Sequence, residues 1–217
     1  MQNNPVQDMQ KLTTQLTDLM EKIKNGSAGD IVQQLQIALE TLSVIATHDG
    51  LTGALNRRGL VQKLDLELDR AKRTGHPFSF AVIAVDRFHA LNEQYGSAIG
   101  DQILQSLAQA ALKLLRSLDS VGRIGDDEFA IILPTTWLDK SDIAISRLTS
   151  GVSALDWAGI AATLNVTFST GLTTNAHGDT SEEMIRRATE ALMQAKAEGP
   201  GSIVRLEQPL PYDPELL

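Results

Sequence analysis

Cysteine is absent from the 217 residues, which removes disulfides, thiolate metal sites and cysteine nucleophiles. Positive charge is in the minority, with 19 Lys and Arg against 27 Asp and Glu and a net charge of −8. Phosphate-tracking surfaces draw on clustered Lys and Arg, so a long nucleic acid is not the expected partner. A small anionic ligand held by a few arginines is still permitted. No apolar run reaches the length of a membrane span, and the longest, 78–85, suits a buried strand. The opening MQNNPVQDMQ is polar and lacks the basic-then-apolar pattern of a secretory signal. A soluble, cytoplasmic chain is the expectation. What is present is 42% apolar residues, enough for a sizeable core in one α/β domain with an appendage, or in two small domains.

Hydrophobic spacing divides the chain. Met9, Leu12, Leu16, Leu19 and Ile23 fall three and four apart on one helical stripe. The run Asn25-Gly26-Ser27-Ala28-Gly29 then breaks the helix. A second helix is expected over 31–46, with Leu35, Leu39, Leu42 and Ile45 as its stripe. The pair reads either as a dimer stalk or as a hairpin folded on its own domain. Beyond it, helices are expected over 60–73, 99–118, 141–155 and 181–197. Strands are expected over 77–85, 121–124, 129–133, 164–172 and 202–206. Strands alternating with helices predict a central mixed β-sheet wrapped by helices, an α/β fold. Residues 208–217 are rich in proline and are expected to be an extended tail.

The chemistry concentrates at a tight polar tip between two short strands, Gly125-Asp126-Asp127-Glu128. Three adjacent carboxylates are costly unless solvated or bound to a cation, and a tip of this kind on its own reads as a solvated acidic turn. It is accompanied by Asp86-Arg87-Phe88-His89-Ala90-Leu91-Asn92, Tyr95-Gly96, Gly100-Asp101, Asp49 to Arg58, Ser169-Thr170-Gly171, and Ala191 to Gly199.

In this order and spacing the segments resemble the GGDEF (diguanylate cyclase) family from about 48 to 205. The resemblance implies a nucleotide-cyclase or palm-like fold and cyclic-di-GMP chemistry or its descendants. In active members two GTP-loaded domains face each other, and bound Mg²⁺ neutralises charge during phosphoryl transfer. By the same resemblance Asn92 and Asp101 match the guanine-reading pair, Gly125 and Lys196 the substrate-binding positions, and Asp127 and Glu128 the catalytic signature, with Asp127 as metal ligand.

Departures from the pattern are as informative. The family's first strand ends Asp-x-Asp-x-Phe, and here it reads Ala84-Val85-Asp86-Arg87-Phe88, so a metal-binding carboxylate is replaced by a methyl group. Asp126 stands where the family has a second glycine, which permits special backbone conformations and close approach of the nucleotide. Asp126 is an alternative source of the missing ligand, although it leaves from a different strand. Pro200 stands where a phosphate-contacting Arg commonly follows Gly199.

A second site is complete. Arg116-Ser117-Leu118-Asp119 matches the family's inhibitory-site Arg-x-x-Asp at its usual offset from the signature turn, and Arg147 falls where some members place a further arginine. Arginine forks suit the phosphates and the guanine Hoogsteen edge of cyclic-di-GMP. The other reading of such a motif is a surface ion pair.

Three functions stay open. One is a degenerate GGDEF sensor that binds cyclic-di-GMP at Arg116, Asp119 and Arg147. Another is an active diguanylate cyclase with a variant site, using Mg²⁺. The third is a GTP-binding or dimerisation module. The expected organisation is a stalk over 1–46, a GGDEF-like domain over 47–207 and a tail. The expected partners are cyclic-di-GMP, GTP, a second copy of the chain and an unidentified protein.

Overall fold

The computed structural model describes residues 28–208, together with Thr14, Thr17 and Glu21. The stripe from Met9 to Ile23 lies outside the described residues. The first described helix, α1 (Ala28–Thr47), begins a turn earlier than the spacing suggested. It ends where Asn56 Nδ2 donates to the carbonyls of Ala46 and His48 at 3.1 and 3.3 Å. The Asn56 side-chain oxygen meanwhile caps α2 (Arg57–Thr74) by accepting from Gly59 N–H at 2.9 Å. One asparagine thus closes one helix and starts the next, satisfying orphan groups of both.

β1 (Ser79–Val85) is buried along its whole length. Its side chains alternate between two apolar layers, as a strand's period of two requires. Ala81, Ile83 and Val85 join a cluster with Ile103, Leu104, Leu107, Phe129, Ile131, Ile145 and Leu148. Phe80, Val82 and Ala84 join another with Leu60, Leu64, Ala130, Ile132, Met184, Ala188 and Leu192. The helices behind these layers are α4 (Ser97–Leu114) and α5 (Leu138–Ser153) on one face. On the other are α2 and α7 (Ser181–Glu198). Each large side chain buried this way contributes about 1.5–3 kcal/mol.

β1 is the central strand of a five-stranded sheet. The others are β2 (Ser120–Arg123), β3 (Glu128–Leu133), β4 (Phe168–Thr174) and β5 (Ile203–Arg205). β1 pairs antiparallel with β3 and β4, β2 pairs antiparallel with β3, and β5 adds parallel to β4. The sheet is therefore mixed, as expected. Two short helices were not anticipated, α3 (Phe88–Tyr95) and α6 (Trp157–Ile160). No helix among the described residues is long and apolar enough to cross a membrane.

β4 and α7 meet with almost no space between them at Gly171. A Cβ there would fall 2.1 Å from the Ala188 carbonyl oxygen and 2.2 Å from Leu192 N, both backbone atoms. Backbone cannot step aside as a flexible side chain can, so Gly171→Ala should lower stability by about 2–3 kcal/mol. Urea denaturation reads this as a reduced midpoint with an unchanged slope; an unaltered midpoint would contradict the packing described.

Candidate functional site

The β2–β3 hairpin carries both candidate sites, one at its tip and one at its open end. β3 has six residues at about 3.4 Å per residue, so the two lie roughly 20 Å apart.

At the tip, Arg123 holds the turn from within. Its guanidinium donates to the carbonyls of Gly125 at 3.2 Å and Asp126 at 2.9 Å, and it lies 3.5 Å from the Asp49 carboxylate. Arg57 adds a bond to the Ile124 carbonyl at 3.3 Å. Asp126 itself does not adopt a left-handed φ. The backbone therefore does not require the family's glycine here, and any consequence of the exposed Asp126 side chain falls on what approaches the turn. Asp127 faces Lys196, with Oδ2 to Nζ at 3.8 Å, and its carbonyl accepts from Val85 N–H at 3.2 Å.

Glu128 lies directly across from Ala84 in the sheet register, and Ala84 has no solvent exposure. Asp86, two residues further on, is already engaged. It accepts from Thr167 Oγ1 and Ser169 Oγ, both at 2.6 Å, and from Gly201 N–H at 2.8 Å. Its carboxylate ties the end of β1 to β4 and to the turn before β5. Mg²⁺ requires several oxygen ligands in near-octahedral array. The donor set does not fit: Ala84 offers a methyl, Asp86 is spent on protein hydrogen bonds, and Asp127 faces an ammonium. Among the described residues no group of three or more acidic or histidine side chains could hold a metal ion.

Asn92 and Asp101, the two positions that match the family's guanine-reading pair, lie on α3 and α4, which are joined at Gly96. The Asn92 Oδ1 atom is buried and has no hydrogen-bond partner. It presses against Gly100, where a Cβ would come within 1.9 Å of it. Asn92 is therefore not spent as a helix cap; an unsatisfied buried acceptor costs about 1–3 kcal/mol and is suited to an N–H from a ligand. Asp101 is exposed in the first turns of α4, not at its N-cap, which is Gly96.

At the open end, α4 stops at Leu114 instead of running to 118. Arg116 N–H donates to Asp119 Oδ2 at 2.8 Å, and Asp119 N–H donates back to the Arg116 carbonyl at 3.0 Å. The Arg-x-x-Asp segment is thus a closed turn and not a helix face. Arg116, Asp119 and Arg147, three residues singled out from sequence, line one cleft of about 220 Å³ with Leu133, Thr136, Trp137 and Lys140. Burial raises the Asp119 carboxyl above its ordinary range, offset in part by the Arg116 N–H and by the Arg116 and Arg147 charges.

Sequence reading missed Trp137 and Lys140 because it began the helix at 141. With α5 starting at Leu138, Trp137, Lys140, Ala144 and Arg147 follow one another on a single helical stripe. One added turn of the same periodicity would have found them.

A mixed sheet wrapped by helices, with an acidic hairpin tip beside its central strand, is the architecture of a nucleotide-cyclase-like domain. Residues 46–202 match the diguanylate cyclase GGDEF domain family, and the chain belongs to that family. It is 30% identical over 198 residues to the diguanylate cyclase DgcP of Pseudomonas aeruginosa, covering 91% of this chain and 29% of DgcP. The chain thus spans less than a third of that relative's length. Diguanylate cyclase SiaD of Pseudomonas aeruginosa, solved in complex with its activator SiaC, superposes with a TM-score of 0.72 at 31% identity over 92% of this chain and 77% of SiaD. The GGDEF domain of DgcB from Caulobacter crescentus, solved in complex with c-di-GMP, gives 0.67 at 26% identity over 74% of this chain and 93% of that one. Residues 46–202 are thus a GGDEF domain.

The methyl at position 84 makes a test. Ala84→Asp places a carboxylate in a fully buried position opposite Glu128, and like charges directly across a sheet repel. Without metal the substitution should cost about 2–4 kcal/mol, and millimolar Mg²⁺ should restore part of it by thermal unfolding. Wild type should show no such Mg²⁺ response. Equal stabilisation of both by Mg²⁺ would mean the metal site survives without that ligand.

Proposed function

We propose that the 47–207 domain binds cyclic-di-GMP at Arg116, Asp119 and Arg147 and has little or no cyclase turnover. The observation that carries this reading is the convergence of those three side chains on one cleft, set against a strand end where the metal-binding carboxylate is a methyl. Two guanidinium forks can hold the phosphates or the acceptor-rich Hoogsteen edge of a guanine. An ionised carboxylate accepts from guanine N1–H and the 2-amino group. Asp119 supplies the latter while its turn aims Arg116.

Calorimetric titration with cyclic-di-GMP should give one saturable site in wild type and none in Arg116→Ala, whose thermal stability should change little because the side chain lies at the surface. Affinity should also weaken as pH falls. The folded Asp119 pKa is raised, so protonation begins above the ordinary carboxylate range, and acceptance from the guanine is lost as pH drops through that raised value. Equal affinity in wild type and Arg116→Ala, or affinity that strengthens toward acid, contradicts the reading. Incubation with GTP and Mg²⁺ should yield product at least about a hundredfold more slowly than an intact family member.

A second reading rests on the unpartnered Asn92 Oδ1. With Asp101, Gly125, Lys196, Asp127 and Glu128 also kept, it supports GTP binding, and in its stronger form an active cyclase with a variant site that would need Mg²⁺. Titration with GTP alone separates it: binding abolished by Asn92→Ala supports it, and no binding removes it.

Residues 1–46 are the proposed dimer stalk. Between 31 and 48 the only charged residue is Glu40, and Val32, Leu35, Leu39 and Leu42 of α1 are all exposed on one stripe, with Ile37 and Val44 exposed on another. A helix apolar on several faces is one that is covered, and a second copy of the chain or a protein partner would cover it. Light scattering on the full chain and on a version starting near Ile45 decides. The full chain should be dimeric and the shortened one monomeric; two monomers at tens of micromolar would leave the hairpin alternative.

A further inference from the structure

We infer that Trp137 is a stacking platform for a purine base in the Arg116–Arg147 cleft, so that this cleft takes a cyclic purine dinucleotide by one base face as well as by its charges. The inference rests on the cyclic-di-GMP reading of the same cleft and adds a residue that neither the family motif nor the sequence singled out.

Trp137 is 64% exposed although it is one of only two tryptophans. The other, Trp157, is 5% exposed and donates its Nε1–H to the Val152 carbonyl at 2.9 Å. That is the ordinary fate of an indole in a folded domain. The exposure of Trp137 does not come from a loose segment. Ser79 Oγ on the central strand donates to the Thr136 carbonyl at 2.8 Å. Thr136 Oγ1 donates to the Pro134 carbonyl at 2.9 Å. The Trp137 carbonyl accepts from Lys140 and Ser141 N–H at 2.9 and 3.0 Å, which starts α5. The backbone under the indole is therefore fixed at three points, and the ring is presented at the cleft wall.

The surroundings specify what the ring would meet. Arg116, Lys140 and Arg147 bring three cations to the cleft, and Asp119 one carboxylate. Excess positive charge selects a ligand carrying phosphates. An indole face beside it selects a flat π-system, and base-on-aromatic stacking tolerates any base. Discrimination among bases is then left to Asp119, which demands a donor edge of the kind guanine has. A cyclic purine dinucleotide, with two phosphate charges in a compact ring and a guanine-like base free to stack, meets all three demands together, and inorganic phosphate meets only the first.

Two tryptophans in contrasting settings make a direct test. Cyclic-di-GMP added to the full chain should quench the solvent-exposed part of the indole emission, and Trp137→Phe should abolish that quench. By calorimetry, Trp137→Ala should weaken binding about 5- to 100-fold, in line with the loss of one stacked base. Trp137→Phe should recover part of the affinity, and both variants should unfold at the wild-type temperature because the side chain is exposed. Inorganic phosphate at the same concentration should leave emission unchanged. If wild type and Trp137→Ala bind cyclic-di-GMP equally, or if saturation produces no quench, the stacking inference fails while the cleft assignment stands. If wild type does not bind cyclic-di-GMP at all, both fail.

Discussion

Everything in this domain is arranged around a strand that is buried on both faces. β1 has no residue more than marginally exposed, so its side chains must alternate between two apolar layers, and neither layer can shift without the other. That constraint fixes where the strand ends. It places Ala84 opposite Glu128 and leaves Asp86 at the rim, where Thr167, Ser169 and Gly201 claim its oxygens. A part-buried carboxylate with three donors is a structural tie, and its removal would take that partner from two hydroxyls and an amide. The family's two strand-end acids have thus parted company in this chain: one position is filled by the core and the other by hydrogen bonds.

The same strand pairing explains why the two candidate sites can differ in fate. They occupy opposite ends of the β2–β3 hairpin, about 20 Å apart, and share the hairpin's register but no side chain. Loss of an acid at position 84 therefore need not disturb the Arg116–Asp119 turn. That turn is held by its own reciprocal bonds and by the end of α4. The sequence offset between Arg-x-x-Asp and the acidic tip is the length of one strand, β2, which is why the motif sits at a set spacing from the signature turn.

Much of this was legible in the sequence because the signals were periodic or local. The apolar run at 78–85 marked a strand buried on both faces, and every later strand and helix except the short α3 and α6 was placed to within a few residues. Arg116, Asp119 and Arg147 were assigned to one site by their resemblance to the family's inhibitory-site motif at its usual offset from the signature turn. Other features were not legible, for identifiable reasons. The helix expected to reach 118 stops at Leu114 because the Asp119 carboxylate offers Arg116 N–H a partner outside the helix. α3 was missed because its eight residues carry too little periodicity. Trp137 and Lys140 were missed because α5 starts a turn earlier than 141. The role of Asp86 depends on Thr167 and Gly201, which are distant in sequence. The glycine expected for conformational reasons at position 126 proved unnecessary there, since Asp126 keeps an ordinary φ.

On the proposed reading, this domain receives cyclic-di-GMP at the open end of the hairpin and does not make it at the tip. A crystal structure of the full chain grown with cyclic-di-GMP, GTP and Mg²⁺ together addresses it most directly. Density is expected for the cyclic dinucleotide between Arg116 and Arg147, with one base against Trp137, and no metal ion is expected between position 84 and Asp127. A cleft left empty while Mg²⁺ and nucleotide occupy the acidic tip would contradict it.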